Sequence, residues 1–427
     1  MRTLQGASRQ SIGYRSLVRG NPNFRRLWFG QIISQLGDWF NLIAAATLVA
    51  MLTESSLAVG TLFVIRLLAP ILVSPFAGIV ADHFNRKHTL IVCDITRAIT
   101  VLGFLFINEP ELVWLLYGLT LVQLGISGFF LPTRSAMLPD VVSKHELGTA
   151  NALGSAAWSV MLALGAALGG FVSGTLGLTY AFLIDSLTFL LSALLIAQIK
   201  TTASHGLRLR RRTLGEGIRQ YVEGWRFLVS RLDILFITFH KAAVGLLLGS
   251  SFDIVEVAAA EQIFVIGIGG GVSLGLLFSA EGIGTAMGPL TARFVTGDRE
   301  RALRRAIAAG YLLGGLGLAV FAPLSSFSIA VAAMFVRGVG SGTVWVFSTQ
   351  LLLNLVPPEF RGRVFAMEMA FFSLAGATGA GLAGALLDSI LGISGTAWLI
   401  AFLTLIPAGL WGAWNLKHLD AYETGSD

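Results

Sequence analysis

The amino-acid sequence predicts an all-α membrane protein with twelve transmembrane helices in two pseudo-symmetric six-helix bundles, and three observations predict it. Of 427 residues, 55% are hydrophobic and 13% are charged, against roughly 25% charged in soluble globular domains. Twelve apolar stretches lie between Arg26 and Lys417, most of them at least as long as the roughly 20 residues a helix needs to cross a bilayer. One long basic and polar interruption, residues 200–231, leaves six stretches on either side of it.

Residues 1–26 carry six arginines and no apolar core of signal-peptide length, so they read as a cytoplasmic tail. The first six spans fall at 27–52, 57–81, 88–107, 112–133, 149–173 and 178–199, an amino-terminal bundle over 27–199. After the linker, the spans at 232–254, 267–294, 302–322, 327–353, 364–388 and 393–415 form a carboxy-terminal bundle over 232–415, and 416–427 is a second tail. Alternate connections hold the basic residues: Arg86 and Lys87, Arg134 and Lys144, eight in the linker, five around the turn after span 8, and Arg361 with Arg363. The opposite connections hold only acids, Glu54, Glu109 and Glu111, with Asp253, Glu256 and Glu261 around the turn between spans 7 and 8. Because Lys and Arg accumulate on the cytoplasmic side, both termini are expected there.

Composition excludes other classes. Cys93 is the single cysteine, so neither a disulfide framework nor a thiolate metal cluster can form. The net charge of +6 is spread over particular loops, which assigns it to topology and anionic lipid and not to nucleic acid; the Arg208–Arg212 run is the plainest instance. There is no HExxH pattern and no Walker signature, and the Gly267–Gly271 run lacks the strand of a nucleotide fold. No enzyme, cofactor or metal site is expected, and an ion gradient becomes the expected energy source.

After span 2 the chain reads Gly78-Ile-Val-Ala-Asp82-His83-Phe84-Asn85-Arg86-Lys87, which resembles the loop signature of the major facilitator superfamily. His83 stands where the signature has arginine, and Asn85 replaces its glycine in a turn that tolerates Asn in the left-handed region. Phe24-Arg-Arg-Leu-Trp28, Gly30-Gln31, Ser34-Gln35-Leu36-Gly37-Asp38-Trp39, Asp94 with Arg97, Pro132 through Asp140, Asn151-Ala-Leu153 and Arg361-Gly-Arg-Val-Phe365 are similar to the bacterial subfamily of macrolide and enterobactin exporters and the lysophospholipid transporter. The resemblance implies two bundles rocking about a midplane site, with spans 1, 4, 7 and 10 lining the cavity. It also implies a conformational gate at Gly78, Asp82, Arg86 and Lys87. Gly165-Ala-Ala-Leu-Gly-Gly170 resembles an antiporter signature with Ala166 in place of proline, and equally reads as small-residue helix packing.

Charges inside spans are functional candidates, since each costs about 2.5–3.5 kcal/mol to insert at the midplane. Gln31, Ser34, Gln35 and Asp38 share one face of span 1, a polar stripe that points at water. Asp38 is a proton-carrier candidate, with a structural pair to Arg66 as the alternative. Glu281 is the second carrier candidate, with an ion pair to Lys241 as its alternative. Gln31, Gln35, Arg66, Lys241, Arg337 and Trp345 are candidates for the cavity wall, and Arg337, Ser341, Trp345 and Ser348 share one face of span 10. Asp94 and Arg97, three apart, are expected to pair. His240 reads as a packing histidine, Asp185 ranks lower, and Glu368 is expected to pair with loop arginines.

The function expected is proton-coupled export of a medium-sized amphipathic compound, drug- or siderophore-like, by alternating access. Its expected partners are that small substrate, the bilayer and protons, or sodium in their place, with no nucleic acid; the chain is expected to act as a monomer in a bacterial inner membrane. Two alternatives stand beside it: movement of lysophospholipid or another lipid, and a non-transporting membrane sensor.

Overall fold

The computed structural model describes residues 13–143, 145–200, 214–297 and 299–417, and their regular structure is helical throughout. Lys144, the Arg208–Arg212 run and both chain ends lie outside the described residues, and so do the surroundings of Gly78 and the side chain of Asp82 in the loop motif. A short α1 (Tyr14–Gly20) precedes α2 (Pro22–Thr53), α3 (Ser56–His83), α4 (Arg86–Leu102), α5 (Val113–Val141), α6 (Leu147–Thr175) and α7 (Leu178–Ala197). Then come α8 (Leu214–Ser230), α9 (Leu232–Ala243), α10 (Ser250–Gln262), α11 (Gly271–Thr296), α12 (Glu300–Phe321), α13 (Phe327–Leu355), α14 (Pro358–Leu387), α15 (Gly392–Leu403) and α16 (Leu405–Lys417).

Local chemistry sets the helix starts. The Asn21 side chain accepts the Phe24 N–H at 3.0 Å, with Pro22 in the first turn of α2, where its missing N–H costs nothing. Ser55 accepts from Ala58 at the start of α3, and Ser326 from Ile329 at the start of α13. Asn85 corrects an expectation: its φ is −64°, not left-handed, and its side chain accepts the His88 N–H at 3.1 Å. It starts α4 as an N-cap, a role glycine has no side chain to fill.

Eleven helical stretches among the described residues are long and apolar enough to cross a membrane, counting α9 with α10, and α15 with α16, as one stretch each. The expected eighth span is α11, which falls outside that set because glycines, hydroxyl residues, Glu281 and Arg293 dilute its apolar character. Close packing holds it as a helix. A β-carbon at Gly284 or Gly288 would strike the α13 carbonyls of Phe335 and Val339, and one at Gly338 or Gly342 would strike the α11 carbonyls of Glu281 and Thr285. Small residues on both faces let the two backbones touch.

The seventh span also departs from its expected bounds. It runs to Gln262, not 254, so Glu256 and Glu261 are helical residues, as Asp253 is, and not loop acids. Midway, Val244–Leu248 form a π-turn that ends at Gly249. Part of the interruption at 200–231 is helical as well: α8 lies against α14, where a β-carbon at Gly224 would sit 3.0 Å from Arg363 Cβ.

Within the first set of helices, α2 packs on α6 and α7, α3 on α5, and α4 on α5 and α7. In the second set, α13 is flanked by α11 and α12, and α14 by α9 and α10. The sets meet through α3 with α14 and α6 with α11. Glycines make these crossings close: a β-carbon at Gly170 would lie 2.5 Å from Gly275 Cα, one at Gly384 would lie 2.7 Å from the Ser56 carbonyl, and one at Gly60 would lie 2.7 Å from the Ala380 carbonyl. The glycines of the antiporter-like stretch are thus packing residues, Gly165 and Gly169 against Trp39 and Gly170 against α11. These close crossings run from the helix ends near Ser56, Thr175, Gly271 and Leu387 to mid-helix, at Leu67 with Gly376 and Ala163 with Gly282. Toward the opposite ends, Leu72, Phe76, Leu290 and Phe294 are exposed.

Candidate functional site: two buried charge clusters

The carboxy-terminal cluster is built around Arg337, whose side chain is fully buried on α13. The helix breaks at Gly249 after the π-turn and the Phe252 N–H bonds the Gly249 carbonyl, which leaves the Leu248 carbonyl to accept Arg337 Nε at 2.9 Å. Nη1 is paired with Glu256 Oε1 and lies 3.6 Å from Met334 Sδ. Nη2 is shared by Glu281 Oε1 at 2.6 Å and Asp253 Oδ1 at 3.1 Å. The guanidinium also lies 5.2 Å from the centre of the Phe252 ring. One guanidinium therefore joins α10, α11 and α13. Its planar fork can engage several oxygens at once, which a lysine ammonium cannot match.

The sequence placed Arg337 on a cavity wall and offered Lys241 as the partner of Glu281, and the structure corrects both. Lys241 Nζ bonds Glu368 Oε2 at 2.8 Å, with both side chains buried, so Glu368 is not paired with loop arginines either. The ammonium lies 4.6 Å from the Trp345 ring centre, within cation–π range. Trp345 itself is partly exposed and meets Phe372 edge to face at 5.0 Å. His240 packs as a core residue, its Nδ1 3.1 Å from the Tyr311 hydroxyl and its ring at right angles to Trp411.

The amino-terminal cluster spans α2, α3, α4 and α7. Asp94 and Arg97 are paired and buried on α4. The Arg97 guanidinium is held between Phe130 and Phe189, 4.4 and 4.2 Å from their ring centres, and donates to Ser127 Oγ at 3.3 Å. Asp38 and Arg66 are both partly exposed. They feel each other's charge but do not form an ion pair with each other within 4.0 Å. On the same stripe Gln31 and Gln35 each keep a buried side-chain oxygen without a hydrogen bond.

Arg86 and Lys87 of the loop motif tie helix ends of the first set together. Arg86 Nη1 reaches Asp140 at 2.8 Å and the Ala136 carbonyl at 3.0 Å on α5, and Lys87 Nζ donates to the Ile199 carbonyl just past α7 at 2.9 Å. In the second set Arg361 donates to the Val356 and Leu353 carbonyls at 3.0 and 2.9 Å, and Arg363 pairs with Glu223 of α8 at 3.1 Å.

Two members of the Arg337 cluster, Asp253 and Glu256, were not singled out from sequence. A signal was present: spaced three apart, they fall on one face of any helix that extends past 254. Asp253, Glu256 and Glu281 bring their oxygens within 4.8 Å of one another, but the guanidinium that each of them contacts supplies the positive charge there.

The profile of the Major Facilitator Superfamily matches residues 27–299 and 269–421 of this chain. An uncharacterized MFS-type transporter of Bacillus subtilis, YfiS, is 28% identical over 400 residues, covering 92% of this chain and 93% of the relative. The putative bacilysin exporter BacE of Bacillus amyloliquefaciens is 25% identical over 401 residues, 91% of this chain and 93% of the relative. Among solved structures, the nucleoside transporter NupG superposes with a TM-score of 0.71 at 14% identity, covering 92% of this chain and 98% of that one. At that identity it shows the shared fold.

Proposed function

The chain belongs to the Major Facilitator Superfamily and is a multi-pass transporter of the bacterial inner membrane, and from this premise we propose that it is a proton-coupled exporter of a medium-sized amphipathic compound. The observation that carries the reading is the Arg337 cluster: three carboxylates converge on one guanidinium in a buried site. Fully ionised, the cluster would hold two uncompensated negative charges in a largely buried site, and burying an unpaired ion costs several kcal/mol. Binding protons removes that cost. A group that gains or loses protons more readily in one conformation than in another biases the equilibrium between them.

Glu281 is the carrier best placed to exert such a bias. The Glu281 side chain is 20% exposed and that of Asp253 23%, against 0% for Glu256; what separates Glu281 from Asp253 is its helix. That helix spans the two sets: the backbone of Glu281 meets Gly338 of α13, while the next residue, Gly282, meets Ala163 of α6. Proton release from Glu281 restores its charge beside Arg337 and Asp253, and α11 transmits the change to the α6 crossing. With both termini cytoplasmic, the close crossings near Ser56 and Leu387 lie on the outer side, so this conformation is closed outward. The division into an amino-terminal bundle over 27–199 and a carboxy-terminal bundle over 232–415 is part of the same reading.

Export is supported by the name of the relative BacE. An amphipathic cargo is supported by the partly exposed Trp345 ring, the buried Lys241–Glu368 pair beside it and the polar stripe of Gln31, Gln35 and Asp38, which pair apolar surface with a few polar anchors.

The test uses everted membrane vesicles with an acid lumen, with proton release recorded as siderophores, macrolides, dyes and lysolipids are added. Release triggered by a compound and lost in Glu281→Gln supports the reading. Gradient-driven transport fully retained in Glu281→Gln and in Asp38→Asn overturns the carrier assignment, and a response to lysolipid alone replaces the drug-like cargo with a lipid.

A further inference from the structure

Asp185 on α7 is fully buried, and neither of its carboxyl oxygens meets a hydrogen-bond partner. It lies against α2 at Gly37, where a β-carbon would collide with Asp185 Oδ1 and Thr188 Oγ1, so the missing side chain at 37 is what makes room for the carboxyl. Asp38 is the next residue on α2. One turn further along the same helix, Asn41 is also 0% exposed, and both its side-chain polar atoms lack partners. Two uncommitted polar side chains are thus sealed between α2 and α7, out of reach of bulk water.

Charge counting around them is unambiguous. The charged groups facing Asp185 are Asp38 from α2, Arg66 from α3 and Arg97 from α4, with Asp94 beside Arg97 on α4. Arg97 is already engaged by Asp94, Ser127 and the two phenyl rings. Three carboxyls therefore share two arginines, one of them committed. A bare carboxylate at Asp185 would be a fully buried charge whose nearest uncharged donor is the single Asn41 amide, a costly arrangement in a core. A neutral carboxylic acid there has a proton to donate and an oxygen to accept with, and the Asn41 amide offers both complements.

We propose that Asp185 is a proton-binding site, protonated in this conformation and exchanging its proton with Asp38 past the bare face of α2 at Gly37. In the exchange an O–H bond at Asp185 breaks and one forms at Asp38; no electrons move, and the charge left on Asp185 faces Arg66 and Arg97. Its use in transport rests on the proton-coupled reading above. The proton itself can be detected without any transport.

Infrared difference spectroscopy on the purified full chain in liposomes reads the carbonyl stretch of a protonated carboxylic acid directly, across a pH titration. The expected result is a band that persists at neutral pH, is lost in Asp185→Asn, and titrates over a different pH range in Asp38→Asn. An unchanged carboxylic-acid spectrum in Asp185→Asn overturns the site, and an Asp185 band that titrates identically with and without Asp38 overturns the exchange. If Asp185→Asn does not fold, Gly37→Ala serves instead: it displaces the carboxyl from its niche, and the same band must shift or vanish. Failure of the coupling reading is separately visible, since Glu281→Gln can retain gradient-driven transport while the Asp185 band remains.

Discussion

Asp388 accepts the backbone N–H of Ser56 at 2.8 Å, so a carboxylate at the end of α14 caps the first turn of α3 in the other set of helices. Its second oxygen accepts the Leu57 N–H at 3.0 Å and the Ser55 hydroxyl at 2.8 Å. Helix N-termini present unpaired N–H groups and a positive dipole end, and here a different segment of the chain satisfies them. The contact holds only while the two sets stay closed at this end.

That latch has a predictable pH dependence. Burial pushes the Asp388 carboxyl up, but the bonds from Leu57, Ser55 and Ser56 outweigh it and hold the group below its ordinary range. For a depressed carboxyl, the stabilisation is present above the ordinary carboxylate range and is lost as pH falls through the lower, folded value. Asp388→Ala is therefore expected to weaken closure at neutral pH, by about 0.5–2 kcal/mol for a lost N-cap, and the wild type is expected to weaken only in acid. Spin-label distances between Thr61→Cys on α3 and Leu382→Cys on α14 check both arms.

The second prediction concerns Lys241 and Glu368. Removing one partner of a buried pair leaves an uncompensated charge and costs about 3–5 kcal/mol, whereas apolar or neutral replacement of both is often tolerated. Lys241→Met and Glu368→Gln should each lower the thermal unfolding temperature of the purified protein, and the double variant should recover much of the loss. A double variant as unstable as the two losses summed would show that the groups act independently.

Arg337 should tolerate even less. Lysine cannot reproduce bonds to the Leu248 carbonyl and three carboxylates from one planar head, so Arg337→Lys is expected to lose thermal stability as well as transport. Adding Glu256→Gln, which removes the fully buried acid of the cluster, should restore part of the stability. Unfolding followed by intrinsic tryptophan fluorescence would decide between partial recovery and a further loss.

The α6–α11 crossing supplies a conformational test. Gly170→Val places a branched side chain where Gly275 Cα already lies within 2.5 Å of the β-carbon position, so closure at that end should be blocked. The expected outcome is an altered distribution of spin-label distances across the crossing and a large fall in transport, with the protein still monodisperse in detergent. An unchanged distribution would mean that the crossing can widen without opening the end.

Much of this protein was legible along the chain. The apolar spans, the interruption after residue 199 and the alternation of basic and acidic connections are one-dimensional patterns, because a bilayer requires long apolar helices and sorts charge by side. The same holds for Asp94 and Arg97: three residues apart on a helix, they can meet without any tertiary contact. The backbone at Asn85 is not legible along the chain, because a residue that favours both left-handed turns and N-caps does not declare which before the next helix begins.

The pairing of distant charges was decided only by the tertiary structure. Lys241, Glu281, Arg337 and Glu368 all lie in spans, and nothing in their spacing distinguishes Lys241 with Glu281 from Lys241 with Glu368; helix packing chose, and gave Glu281 to Arg337. The helix break at Gly249 freed the carbonyl that fixes Arg337, and the Arg337 pairing in turn lets Glu256 lie inside a helix, beside Asp253, where sequence alone ended the span at 254. The sequence determined which segments enter the membrane, because burial of apolar residues in lipid depends on local composition. Which charges neutralise each other within it depended on the three-dimensional packing of helices, because an ion pair requires two side chains to meet at one point in space.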